Sequence, residues 1–314
     1  MKGSGWWLLF AMSAALGCER APLTPPPPSA TAPVAPVVRG RRARAAAITV
    51  RFSNSGVEPG SHRLGYDRLR VSGVFADADR RDIHLLAELI GPPLKRLAGQ
   101  DLDTCVRSEG PWVGHGASTM PSPRAYLQLL DIGNLSLSAG PKHLPLRISM
   151  VPSLFSAVRG VRYDGDVDYG RSWLAHGRLK LSATGGDNVE PFTVEVPVPR
   201  PVRLTHVGGV PARGGIVEGL GEDPEMTIRW GSVDGKAELQ VWIGAEQGRG
   251  IDWIRCRLKD DGNFLLAPAL LKGLPTRSPR RPWLVVLVRS TQATVPGFMG
   301  EPLRLELLDS VRVL

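Results

Sequence analysis

The chain has 314 residues, of which 42% are hydrophobic and 22% are charged, and this composition is typical of a globular protein rather than a disordered or collagen-like one. It has 39 basic and 30 acidic residues, 36 glycines, 28 prolines and three cysteines. So few cysteines exclude a disulfide-dense small scaffold and a zinc site built from cysteines. The sequence contains no intact catalytic motif and no pattern that indicates a cofactor, so we expect a protein that is not an enzyme.

The first 17 residues have the pattern of a secretory signal peptide. Lys2 precedes an apolar run from Trp6 to Leu16, which is too short to span a bilayer but matches the apolar region of an export signal. The run leads into Ala15-Leu16-Gly17-Cys18, which resembles a bacterial lipobox with Leu and Ala in swapped positions. We therefore expect lipidation of Cys18. The alternative is an ordinary cleavage site in which Cys18 has no role.

Residues 18–47 are predicted to form a tether between the lipid and the folded body. Residues 22–38 contain seven prolines and no charge, which favours extended polyproline geometry with a reach of roughly 50 Å. The arginines of residues 39–44 suit either anionic head groups or a solvated basic linker, and we favour the linker. About half of the net charge of +9 lies near the N-terminus, so the folded body lacks a basic face. Because an exported protein also rarely meets nucleic acid, we expect no nucleic-acid partner.

From residue 48 onward, apolar and polar residues alternate with a period of two, which predicts short strands with one apolar face. The predicted strands include 144–150, 179–183, 192–196, 226–230 and 303–307. Trp283 to Val288 is apolar on both faces and predicts a central strand. Asp-Gly pairs predict turns at 164–165, 234–235 and 261–262. Residues 79–89 fit either a short helix or a buried strand.

Repeated short strands with frequent turns predict antiparallel β-sandwiches. A proline-rich joint at residues 197–201 divides the body into a β-rich domain at 48–200, with the short helix, and a sandwich at 202–314. We therefore expect a mainly β chain with two antiparallel, immunoglobulin-like or fibronectin-like β-sandwich domains. These domains follow the lipoprotein signal peptide (1–17) and the Pro-rich tether (18–47).

Four segments carry a resemblance to a family. They are LLDIGNLSLSAG (129–140), WLAHGRLKLSATGGDNVEPFTVEVPVPRP (173–201), MTIRWGSVDGKAELQVWI (226–243) and IDWIRCRLKDDGNFLLAPALLKGLP (251–275). Over roughly residues 129–300 the chain resembles the tandem sandwich body of uncharacterised envelope lipoproteins from high-GC, myxobacterial-type bacteria. The resemblance implies an envelope location and an immunoglobulin-like fold, and it implies no activity. Residues 51–128 lie outside it.

A hairpin at residues 237–258 carries the most specific local prediction. Symmetric closure of strands 237–244 and 251–258 pairs Trp242 with Trp253 and Leu239 with Cys256. This register turns Cys256 toward the core and brings the two indoles together on the other face. Because apolar sugar faces stack on indoles, the pair is a candidate ligand platform. The alternative, which we favour, is that another part of the protein covers both side chains.

Cys105 and Cys256 are candidates for one disulfide in the oxidising envelope, which would link the two predicted domains. The predicted hairpin register favours the alternative, in which Cys256 is a thiol buried in the core.

Three carboxylates, Asp164, Asp166 and Asp168, lie two residues apart, within reach of one hard cation. Tyr169 and Ala175 occupy the positions where a calcium loop of the EF-hand type requires Gly and Glu. We therefore expect a polar turn and no metal site.

The histidines show no metal-ligand spacing. His115 and Ser118 hint at a hydrolase loop, but the glycines of a nucleophile elbow are missing, so we do not expect catalysis there. His206 alternates with Val202 and Leu204, which predicts a histidine in the core.

The expected function is that of a lipid-anchored cell-envelope protein acting as a non-catalytic binding or structural module. We expect it at the outer membrane or cell surface rather than the inner membrane, held by the lipid on Cys18, with an envelope protein or a glycan as partner. One alternative is a glycan-binding module that uses Trp242 and Trp253. Another is an envelope hydrolase with its site in residues 51–128.

Overall fold

The computed structural model describes residues 42–54, 66–83, 85–86, 101–110, 127–151, 158–168, 170–186, 188–221, 226–231, 233–247, 250–272, 274–278 and 282–314. This part of the chain is mainly β, as the two-residue periodicity predicts, and contains two antiparallel sheets and one large mixed sheet in which most strand pairs are antiparallel. None of the helices in these ranges is long and apolar enough to cross a bilayer. The predicted signal peptide, Cys18 and most of the tether lie outside the described residues.

One large sheet forms the centre of the fold. Its eleven strands, numbered in chain order, are β1 (Arg42–Asn54), β2 (Tyr66–Asp79), β3 (Thr104–Gly110), β4 (Leu127–Leu129), β7 (Arg147–Val151), β8 (Val158–Asp168), β13 (Ile216–Val217), β15 (Glu238–Gln247), β16 (Gly250–Leu258), β18 (Trp283–Ala293) and β19 (Met299–Val313). Their order is β3-β16-β15-β18-β19-β1-β2-β4-β8-β7, with β13 also paired to β19. The β1–β19, β13–β19 and β4–β8 pairs are parallel.

Two smaller sheets have four strands each. The first, in the order β10-β9-β5-β6, consists of β5 (Leu135–Ala139), β6 (Lys142–Pro145), β9 (Arg178–Ala183) and β10 (Phe192–Pro197). The second, in the order β12-β11-β14-β17, consists of β11 (Arg203–Val207), β12 (Val210–Pro211), β14 (Met226–Gly231) and β17 (Asn263–Leu266). Two short helices are described over their full length: α1 (Arg171–Leu174) and α2 (Pro268–Leu271).

Each small sheet packs on the same face of the large sheet, here called the inner face. The first core joins Phe52 and Leu69 of the large sheet to Leu181 of the first small sheet. The second core joins Val241 and Leu287 of the large sheet to Ile228 and other residues of the second small sheet. Both cores bury apolar area against the same continuous sheet. Loss of either core would therefore also destabilise the strands that the other core packs on.

The predicted division at residues 200–202 does not separate the strands of the large sheet. β1 pairs with β19, and β3 pairs with β16, so strands from both sides of the joint hydrogen-bond to each other. The predicted end of the tether at residue 47 is too late, since β1 begins at Arg42. This part of β1 shows no alternation of apolar and polar residues in the sequence, because three consecutive alanines occupy it. All three, Ala45, Ala46 and Ala47, are buried.

The other local predictions have mixed outcomes. The strands at 179–183, 192–196, 226–230 and 303–307 are confirmed, and β18 is a central strand. The predicted strand 144–150 is instead two strands in different sheets, β6 and β7, with a change at Leu146. The turns at 234–235 and 261–262 are confirmed, whereas Asp164-Gly165 lies inside β8. Within 79–89, residues 85 and 86 are helical and Leu86 is buried, while 84 and 87–89 lie outside the described residues.

Candidate functional site

The two predicted platform tryptophans are fully buried. The observed hairpin pairs Trp242 with Arg255 and Gly244 with Trp253, two residues away from the predicted register, because the strands extend to Gln247 and Gly250. A shift of two residues keeps each side chain on its predicted face. The indoles pack edge to face with ring centres 6.2 Å apart. Both are 0% exposed, so the prediction of an exposed platform is wrong, and the burial agrees with the alternative of cover.

The tryptophans belong to a packed cluster on the outer face of the large sheet. The indole N–H of Trp242 donates to Oε1 of Gln240 at 3.1 Å. The guanidinium of Arg255 lies 5.6 Å from the Trp242 ring centre, and burial lowers the pKa of Arg255. A β-carbon at Gly244 would overlap the indole of Trp253, so only glycine fits there. This arrangement stabilises the sheet and leaves no indole face for a ligand.

Cys105 and Cys256 are joined by a disulfide. They lie directly opposite each other on β3 and β16, with Cα atoms 4.0 Å apart. Cys256 is fully buried in the second core, as the face assignment predicts, but as half of a cystine rather than as a free thiol. The bond therefore ties the terminal strand of the large sheet to its neighbour.

Two of the three acidic residues of β8, Asp164 and Asp166, are paired with arginines. Arg162 contacts Asp164 at 2.8 Å, and Arg68 contacts Asp166 at 2.7 Å. The prediction of a polar turn is wrong, because these acidic residues lie within a strand. Among the described residues there is no group of three or more side chains arranged to hold a metal ion.

The histidine predictions have different outcomes. His115 and Ser118 lie outside the described residues. The prediction that His206 faces the core is wrong, because the pairing of β11 with β14 shifts between Leu204 and His206. This bulge at Thr205 puts Val207 rather than His206 on the buried face.

A cleft on the inner side of the large sheet is the strongest candidate site. Its volume is about 460 Å³, and it opens between α1, the start of β11, residues 212–215 and β19. Its polar lining side chains are Arg171, Arg203, Asp309 and Ser310. Its apolar lining residues include Leu174, Ala175, Pro201, Val202, Leu204, Ala212 and Val311. A mostly apolar cavity with a few converging polar groups is the usual form of a small-molecule site.

Asp309 is the distinctive group of this cleft. Burial raises the pKa of Asp309 to about 6, although a hydrogen bond from the backbone N–H of Leu204 and the charge of Arg203 act in the opposite direction. The Leu204 nitrogen lies 2.6 Å from Oδ2 of Asp309. A half-buried carboxylate with a perturbed pKa in a cleft is typical of functional sites.

Asp309 is not among the predicted site residues, although the alternation of apolar and polar residues in β19 contains a signal for it. Leu305 and Leu307 face the first core and Val311 and Val313 face the second, so Asp309 occupies an inward position between apolar residues. A charged residue at an inward position of a strand is unusual unless it is paired or functional.

We predict that Asp309→Asn stabilises the protein at neutral and alkaline pH. A carboxyl whose pKa is raised by folding loses stability as the pH rises from about 4 to about 6, since the folded state then binds more protons than the unfolded state. The amide removes that loss and keeps an oxygen for the Leu204 N–H. We expect the variant to gain about 2–3 kcal/mol in the free energy of unfolding at pH 8 and almost nothing at pH 4.

The measurement is urea unfolding at the two pH values. Asp168→Asn, which changes an exposed carboxylate on β8, is the control and should alter the free energy little at either pH. An equal effect of Asp309→Asn at pH 4 and pH 8 would contradict the prediction.

Comparison with known protein families finds no family model that matches the chain, and no curated protein matches it. The features of the chain that bear on its function are the cleft, the disulfide and the N-terminal sequence.

Proposed function

We propose that the chain is an exported, lipid-anchored protein of the cell envelope whose β body is a non-catalytic binding and structural module. The observation that carries this proposal is the Cys105–Cys256 disulfide. Disulfides persist in oxidising compartments outside the cytosol, so the bond supports export. The apolar run and Cys18 at the N-terminus, followed by a proline-rich segment, supply the signal, the lipid acceptor and the spacer that such a protein needs.

The cleft beside Asp309 supports the binding part of the proposal. Its apolar walls favour non-covalent capture of a ligand, and its charged groups give that capture specificity. The resemblance of residues 129–300 to myxobacterial-type envelope lipoproteins suggests the same location, with the outer membrane or cell surface favoured.

Lipidation is tested by metabolic labelling with an alkyne-bearing palmitate in a bacterial host. We expect the wild type to carry the label and to fractionate with membranes, and Cys18→Ala to lose both properties. The double variant Cys105→Ala/Cys256→Ala is the matched control, because it lacks two cysteines but should still be labelled. An unlabelled wild type, or a label that survives in Cys18→Ala, would rule out the anchor.

A further inference from the structure

The Asp309 cleft offers charges of both signs beside an apolar wall. Asp309 is half-buried, whereas Arg171 on α1 and Arg203 on β11 are exposed. Leu174, Val202 and other aliphatic residues form most of the remaining surface. The acid thus lies inside the cleft and the two guanidinium groups lie toward solvent.

This arrangement selects between ligand charges. An amphiphile that carries only negative charge would be attracted by the arginines but repelled by Asp309. An amphiphile that carries only positive charge would pair with Asp309 but would be repelled by Arg171 and Arg203. A ligand with both an amine and a carboxylate interacts favourably with all three groups, since a cation adds to the hydrogen bond and the Arg203 charge that already act on the Asp309 carboxylate, and a guanidinium binds a carboxylate through paired hydrogen bonds.

We propose that the cleft binds a zwitterion with an apolar body, namely an apolar amino acid or a short apolar peptide with free termini. The amine contacts Asp309, the carboxylate contacts Arg203 and Arg171, and the side chains pack on the aliphatic wall. A cavity of about 460 Å³ lies within the size range of small-molecule sites. The inference deepens the proposed binding role and rests on it.

The test is calorimetric titration of the full-length protein, purified in detergent, with leucyl-leucine. We expect saturable binding. N-acetyl-leucyl-leucine lacks the amine charge and leucyl-leucine amide lacks the carboxylate, and each should bind about tenfold more weakly, as expected for loss of a charged partner. Glycyl-glycine, which lacks the apolar body, should not bind detectably. No heat with leucyl-leucine at millimolar concentration, or equal binding of the capped peptides, would overturn the proposal.

Two variants locate the amine. Asp309→Asn should weaken leucyl-leucine binding about tenfold but strengthen the weaker binding of the acetylated peptide, since that peptide carries only a negative charge and the variant removes its repulsion by Asp309. Arg229→Gln, on an exposed position of β14 outside the cleft lining, is the control and should bind both peptides like the wild type. Equal losses for both peptides in Asp309→Asn would place the amine elsewhere and overturn the assignment.

The result of the peptide titration can be distinguished from the result of the palmitate labelling. A protein that binds leucyl-leucine but carries no lipid refutes the anchor alone, and a lipidated protein that ignores the peptide refutes the ligand alone.

Discussion

The double variant Cys105→Ala/Cys256→Ala is expected to lose about 2–5 kcal/mol in the free energy of unfolding. The disulfide joins cysteines 151 residues apart, and a cross-link across so long a loop strongly restricts the unfolded chain. In the folded state it also holds β3, which is the end strand among the described strands of the large sheet and pairs with β16 alone among them. The measurement is urea unfolding of the oxidised protein followed by circular dichroism.

Reduction provides an independent readout of the same bond. A thiol reductant should lower the stability of the wild type to that of the double variant and leave the variant unchanged. Cys18→Ala is the matched control, because it removes the third cysteine and not the cross-link. Identical denaturation midpoints for the oxidised wild type and the double variant would contradict the prediction.

The second large effect is expected from Arg289→Met, at about 3–5 kcal/mol of destabilisation. Arg289 is 0% exposed and contacts the buried carboxylate of Asp260 at 2.8 Å. It also donates to the carbonyl oxygen of Arg200, in the proline-rich joint, at 2.8 Å. Asp260 in turn accepts hydrogen bonds from the Trp230 indole and from the Asp234 backbone. Methionine fills similar space but leaves the Asp260 carboxylate buried without this cation.

A matched control and a double-mutant cycle test the cause. Arg178→Met removes the exposed ion pair with Glu195 and should cost less than about 1 kcal/mol. Adding Asp260→Asn to Arg289→Met should recover part of the loss, because the uncompensated charge is then gone. If Arg289→Met unfolds at the same urea concentration as Arg178→Met, the buried pair contributes little and the prediction is wrong.

Local alternation predicted individual strands well, because a half-buried strand repeats every two residues whatever sheet it joins. The β9–β10 pair shows this, with Leu181 and Val194 buried and Lys180 and Glu195 facing outward. Alternation does not specify which strands become neighbours. The pairing of β1 with β19 and the change of sheet at Leu146 depend on contacts between distant segments, so the shared sheet was not foreseen.

The candidate site was harder to predict than the fold. The sequence placed both tryptophans on the outer face correctly, but whether that face is covered depends on the rest of the chain. Conversely, Arg289 in β18 and Asp309 in β19 each occupy an inward-facing position where the neighbouring inward-facing residues are apolar. That interruption was readable in the sequence, but the partners that explain it, Asp260 and the Leu204 N–H, are set by tertiary structure.

The parallel contact between β1 and β19 has a consequence for biogenesis. Arg51 and Glu306, joined at 2.9 Å across these strands, are separated by 255 residues. Because the chain is synthesised from its amino end, β1 is available long before its neighbour β19. Until then one edge of β1 stays unpaired, and such an edge is prone to aggregation. We expect slow maturation and rapid degradation of chains truncated before Met299, and the proposed export would add a reliance on periplasmic holding factors.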